Sequence, residues 1–229
     1  IERPSWLYTP APAESRADSL LRPSDPVDDE NHRVRSGESV QMRALALQRG
    51  VLVHRLLQSL PDVAGARRRD AALKYLVRNT DGWTDGDREA LAEGVLALIG
   101  DRRFAPVFAP GSRAEVGIVG RLDRPGRPPA LVSGQIDRLA VTASEVLIVD
   151  YKTNYAPPRL PAEAPAAYLR QLALYRAVLG RLYPRLPIRA ALLWTETLDL
   201  MEISAPALDA ELASHHLGVS KLDPATPRS

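Results

Sequence analysis

The stretch GQIDRLAVTASEVLIVDYKTN, residues 134–154, contains two runs of β-forming residues separated by the tetrapeptide TASE. Runs rich in Val, Ile and Leu and bounded by small or polar residues read as strands. The first covers about 130–141 and the second about 146–152. Each carries one aspartate, Asp137 and Asp150, and Lys152 follows two residues after the second. Apolar strands rarely carry unpaired acids and a base, so these residues ask for a reason. If the strands form a hairpin with Val141 facing Val146, Asp137 falls opposite Asp150, with cross-strand Cβ atoms roughly 5 Å apart. Lys152 then shares that face, because side chains alternate along a strand.

A further strand is expected upstream, at about 114–122, joined to the first by the seven-residue turn DRPGRPP. If Leu122 faces Ala130, Glu115 lies opposite Asp137 and three carboxylates line up across three strands. A slip of one residue would turn Glu115 to the other face. Facing carboxylates repel and destabilise a sheet. A shared proton relieves the repulsion by raising one pKa. A bound divalent cation relieves it too, and Mg²⁺ takes hard oxygen ligands, commonly one or two carboxylates plus substrate phosphates. With Lys152 beside the ion and its water, the set is equipped for metal-assisted phosphodiester hydrolysis. The competing reading makes Asp137 and Asp150 strand-end acids at the surface, with Lys152 as their solvated ion-pair partner.

Outward from the hairpins the pattern is helical. Residues 40–60 place Leu45, Leu52, Leu56 and Leu60 at three-to-four spacing, which predicts a helix ended by Pro61. His54 lies on a stripe with Leu47 and Val51, near the apolar face. Helices are also expected at about 66–79 and 85–100, the latter capped by Thr84 or Asp85. Others are expected at about 164–182 and 206–214, with strands at about 188–195 and 199–204. The order of helices, meander, helix and strands implies an α/β or α+β domain with a mixed sheet. Residues 1–38 hold five prolines and little periodicity, and are expected to be a linker or arm in which Trp6 and Leu7 could dock. The domain proper is expected over 39–215, with a flexible tail at 216–229.

Composition narrows the chemistry. The 229 residues include no cysteine, which excludes disulfides, thiolate zinc sites and cysteine-ligated iron–sulfur clusters. No apolar stretch approaches the ~20 residues of a membrane span. Net charge is only +2, so charge alone does not announce a nucleic-acid binder. Of the 30 basic residues only Lys74, Lys152 and Lys221 are lysines. A compact ammonium differs from a planar guanidinium in chemistry, which singles out Lys152.

GQIDRL followed by VDYKTN resembles the core of the PD-(D/E)xK nucleases, whose fold is a restriction-endonuclease-like mixed β-sheet with flanking helices. More narrowly, it resembles the C-terminal nuclease domain of the RecB and AddA helicase–nucleases, AddA the more closely. RGVLVHRLLQSL is similar to the histidine-bearing first motif of that branch. AEVGIVG is similar to its acid-bearing strand, and YLRQLALY to its Q-x-x-x-Y helix motif. The matches span about 45–200 in the expected order.

The resemblance implies Asp137 and Asp150 as metal ligands, Lys152 as the catalytic lysine and the Tyr151 carbonyl as a further ligand. It has His54 reaching the same metal and Glu115 contacting it directly or through water. Gln171 and Tyr175, four apart on one helix face, would touch DNA or the substrate phosphate. The implied cofactor is Mg²⁺, with Mn²⁺ able to substitute and Ca²⁺ binding non-productively. The implied activity is cleavage of DNA, chiefly single-stranded, to 5′-phosphate and 3′-hydroxyl ends during double-strand-break processing. A covalently linked helicase, absent from this chain and tethered through residues 1–38, an AddB-like partner subunit and a bacterial cytoplasmic location are also implied. Two alternatives stay open: a non-catalytic DNA-binding or docking module, and a metal phosphoesterase acting on small molecules.

Overall fold

The computed structural model describes residues 19–23, 40–109, 111–152, 157–195, 197 and 199–215. Trp6, Leu7, most of the expected linker and nearly all of the expected tail lie outside the described residues. Helices α1 (Val40–Ser59), α2 (Gly65–Asn79) and α3 (Asp85–Gly100) come first after the short strand β1 (Ser19–Leu21). Strands β2 (Arg113–Arg124), β3 (Arg127–Val141) and β4 (Val146–Lys152) form the meander. Helix α4 (Ala166–Leu182), strands β5 (Ile188–Trp194) and β6 (Asp199–Ile203) and helix α5 (Ala205–Ser214) complete the domain. Thr84 caps α3 through a reciprocal box: its hydroxyl accepts from Asp87 N at 3.1 Å, and the Asp87 carboxylate accepts from Thr84 N at 3.0 Å.

The sheet is six-stranded and mixed, in the order β1-β3-β4-β5-β6, with β2 paired to β3. The β4–β5 pair is parallel, which demands a crossover, and α4 supplies it. Alternation then sorts the side chains of β4 between two cores. Val146 and Ile148 pack with α4 and α5, while Leu147, Val149 and Tyr151 pack with α1, α2 and α3. The result is a helix–sheet–helix sandwich, the expected α/β class. Among the described residues, no helix is long and apolar enough to cross a membrane.

Both expected hairpin registers are present. Val141 pairs with Val146 and Arg138 with Val149; Leu122 pairs with Ala130 and Val116 with Ile136. The turn between β2 and β3 is much shorter than the seven residues expected. It consists of Pro125 and Gly126, with Gly126 at φ +69. Pro128 and Pro129 fall inside β3, next to a register shift between Leu122 and Arg124. An irregularity of this kind is where a strand tolerates residues without an N–H.

Two other expectations gain detail. Ser19–Leu21, within the expected linker, is a strand that runs parallel to Ala130–Val132 of β3. β4 covers β3 only from Arg138 onward, so the remaining edge is open and β1 covers part of it. The stripe shared by His54, Leu47 and Val51 is not the core face of α1. Leu47 and Val51 are 66% and 62% exposed, and the buried face is Leu52, Val53, Leu56 and Leu57, continued by Leu60 just past the helix. Each residue turns a helix by about 100°, which puts His54 at the border of that face.

Candidate active site

The β3–β4 ladder ends at Arg138 and Val149. Asp137 and Asp150 stand next in line, but their backbones do not pair. Instead, Tyr151 N donates to Asp137 Oδ2 at 2.7 Å, so a carboxylate takes the place of a ladder carbonyl. The buried faces of β3 also change over here. Ala130, Val132 and Ile136 pack toward α4, whereas beyond Asp137 the odd-numbered Leu139 does so and Ala140 joins the opposite core. On β2, between the pairs Ala114–Arg138 and Val116–Ile136, Glu115 adopts a left-handed conformation with φ +53. A non-glycine residue held there costs roughly 1–3 kcal/mol. Both strands are thus distorted at one level, and the distortion re-aims their acids.

They are aimed at His54. One ligand atom each from His54, Glu115 and Asp137 lies within 4.8 Å of the others. The His54 ring meets the edge of Tyr151 with centroids 5.4 Å apart. Burial lowers the His54 pKa below its ordinary 6.5, against the opposing pull of the Asp150 and Glu115 charges and a backbone hydrogen bond with Tyr151. Asp137 is pushed well above its ordinary 3.8, first by burial and then by the Asp150 charge, although Tyr151 N–H and Lys152 act the other way. A neutral imidazole nitrogen and two crowded carboxylates form a mixed nitrogen and oxygen donor set. The crowding that favours a proton on Asp137 would equally be relieved by a divalent cation, so these residues fit the metal that the sequence implies.

Asp150 and Lys152 continue the row of β4 that faces α4, and they form a second cluster. Lys152 Nζ lies 2.9 Å from Asp150 Oδ2 and donates to Gln171 Oε1 at 3.0 Å. Gln171 Nε2 donates to Asp150 Oδ1 at 2.8 Å, which closes a ring of three side chains. The ammonium also lies 4.0 Å from the centroid of the Tyr168 ring. Asp150, expected to share the metal with Asp137, is therefore engaged by Lys152 and Gln171, and the three-residue donor group does not include it. Its charge still reaches both His54 and Asp137.

Gln171 and Tyr175, expected to touch DNA or the substrate phosphate, lie buried behind the site. Gln171 is 4% and Tyr175 0% exposed. Gln171 holds the lysine–aspartate pair, and the Tyr175 hydroxyl donates to the Gln135 carbonyl at 2.7 Å. Both lock α4 onto the sheet behind the site.

Sequence reasoning missed four supporting residues. Gln135 donates to Glu115. Gly134 lets Tyr175 come close: a Cβ there would lie 2.8 Å from Tyr175 Cε1, and a glycine inside a strand is the usual sign of such an approach. Tyr168 sits one turn before Gln171 on α4, a spacing that places the two together. Arg138 is buried and donates to Ser112 Oγ at 2.7 Å and to the Val107 carbonyl at 3.2 Å. It therefore ties down the segment that leads into β2 and Glu115.

Comparisons with known proteins add an independent line. A profile of the PD-(D/E)XK nuclease superfamily matches residues 30–216. No curated protein matches the chain. Among solved structures, one titled "Crystal structure of SSO0001" is similar at 10% identity and a TM-score of 0.30, over 77% of this chain and 85% of that one.

Proposed function

The chain belongs to the PD-(D/E)XK nuclease superfamily, and from that premise we propose that it is a Mg²⁺-dependent deoxyribonuclease domain acting on single-stranded DNA. The observation that carries the reading is the convergence of His54, Glu115 and Asp137 within 4.8 Å, beside a buried lysine. His54, Glu115 and Asp137 would hold the cation, with the Tyr151 carbonyl and Asp150 next to them. A bound divalent cation supplies Lewis acidity toward a phosphate oxygen and lowers the pKa of water.

The chain's own groups do the rest. Lys152 is held by Asp150 and Gln171 and presents a fixed positive charge where negative charge builds up on the phosphate. Burial favours the neutral form of the His54 imidazole, the form that ligates a cation. Recognition through phosphate contacts from arginines, which make up nearly all of the basic residues, fits a domain that cuts without reading sequence. By its resemblance to the AddA branch, the domain would act downstream of a helicase, with an AddB-like partner subunit, in processing double-strand breaks in the bacterial cytoplasm.

Purified chain is incubated with single-stranded DNA, duplex DNA, single-stranded RNA and bis(p-nitrophenyl) phosphate, with Mg²⁺ or EDTA. The expected result is Mg²⁺-dependent cleavage, fastest on single-stranded DNA, leaving 5′-phosphate ends and lost in His54→Ala. Faster turnover of the small diester than of DNA would make it a small-molecule phosphoesterase. Tight DNA binding without cleavage under any divalent cation would make it a docking module.

A further inference from the structure

We infer that Gln135 is a positioning residue for the metal ligand Glu115 and sets the affinity of the site for its cation; this rests on the metal-dependent reading above. Glu115 is held in the left-handed region at φ +53, and a strained ligand keeps its aim only if its surroundings fix it. Gln135 Nε2 donates to Glu115 Oε2. One carboxylate oxygen is thereby occupied and the carboxylate plane set, and the other oxygen is left for the ion. A hydrogen bond to a ligating carboxylate from outside the coordination sphere orients it in this way.

The neighbourhood is built for that contact. Gln135 pairs across the ladder with Gly117, so Glu115 is its diagonal neighbour, a separation that long side chains span. Gly117 has no side chain to contest the path, and a Cβ built on it would meet nothing within 4 Å. From behind, Tyr175 fixes the Gln135 backbone by donating its hydroxyl to the carbonyl at 2.7 Å. The absence of a side chain at Gly134 permits that approach. The line Tyr175–Gln135–Glu115 thus runs from the buried face of α4 to the donor set.

The test replaces Gln135 by Met, which has similar length and no N–H donor, in the full chain. Gln135 is exposed and its backbone bond is untouched, so the melting temperature without metal should stay at the wild-type value. Calorimetric titration with Mn²⁺ should show affinity weakened by about 10-fold or more, within the 10–100-fold typical of such partners. The cleavage rate should recover as the metal is raised to saturation. Gln135→Asn, with a shorter reach, should fall between the two. A Gln135→Met chain that binds Mn²⁺ as tightly as wild type overturns the inference and leaves the metal-dependent reading standing. A wild-type chain that binds no divalent cation overturns both.

Discussion

Replacing Lys152 by Met should unfold the site before it says anything about catalysis. At 2.9 Å the attraction between Lys152 and Asp150 is about 6 kcal/mol at an effective dielectric of about 20, largely offset by the cost of removing two ions from water. Deleting one partner leaves that cost without its offset, a loss of about 3–5 kcal/mol for a buried pair. Asp150 keeps the Gln171 N–H at 2.8 Å, which favours the lower end. A loss of about 3 kcal/mol in a chain of this size lowers the melting temperature by roughly 6–12 °C. Adding Asp150→Asn removes the stranded charge, so Lys152→Met/Asp150→Asn should return to within about 1 kcal/mol of wild type. Urea unfolding followed by tryptophan fluorescence reads this directly, because Trp194 is buried against Tyr168. Neither variant should cleave DNA, and only the double variant separates lost chemistry from lost structure. A single variant within about 0.5 kcal/mol of wild type, or a double variant no more stable than the single, would refute the reasoning.

Gly134→Ala should cost about 1–3 kcal/mol by overpacking, because the new Cβ would lie 2.8 Å from Tyr175 Cε1 and 2.9 Å from its hydroxyl oxygen. Adding Tyr175→Phe should restore only part of the urea midpoint, since the contact with the ring carbon remains; a neutral Gly134→Ala sinks the idea. The pH dependence has two opposed parts. Asp137 is raised above its ordinary 3.8, so the folded chain holds a proton that the unfolded chain has released, and stability without metal falls as pH rises from that value through the folded pKa. His54 is lowered below 6.5, so on acidification the unfolded chain takes up its proton first, and this contribution to stability rises as pH climbs toward 6.5. A cation competes with the Asp137 proton, so the increase in melting temperature on adding Mg²⁺ should grow with pH in the wild type and collapse in Asp137→Asn. A metal increment that is flat across pH in the wild type contradicts this.

The parts of the site that follow from period-two alternation were legible in the sequence. The TASE turn is closed by bonds from Thr142 N and Thr142 Oγ1 to the Glu145 carbonyl, at 2.9 and 3.0 Å, and so tight a turn leaves the β3–β4 register little freedom. The β2–β3 register was legible for a less direct reason. Its turn is five residues shorter than expected because the strands go on pairing as far as Arg124 and Arg127, and the irregularity between Leu122 and Arg124 shifts the pairing by one residue, leaving Leu122 opposite Ala130. Side-chain partners were harder to see. Whether Asp150 turns toward Asp137 or toward Lys152 depends on Gln171, which arrives from the helix packed on that face, and no spacing within β4 encodes that. The pattern of α1 places His54 near the apolar face but not toward the acids, because an exposed Leu47 and Val51 carry the same apolar signal as a buried pair.

Alternation fails where the chemistry is. Continued regularly, it would put Asp137 and Asp150 face to face, two buried like charges with no relief. The structure opens the ladder instead: Asp137 accepts from Tyr151 N, β3 changes faces across Asp137, and Glu115 leaves the strand region of backbone conformation. Together they give the carboxylates different partners, although the Asp150 charge still bears on Asp137. Asp150 goes with the lysine, while Asp137 and Glu115 go with His54. Local rules are commonly broken at functional sites, where compensation comes from elsewhere in the fold. Here the compensation can be named: Gln171 and Tyr175 from α4 on one side, and the Arg138 anchor on the other. Gln171 holds the lysine–aspartate pair and Tyr175 the Gln135 backbone, so two buried side chains of α4 brace both halves of the site from behind.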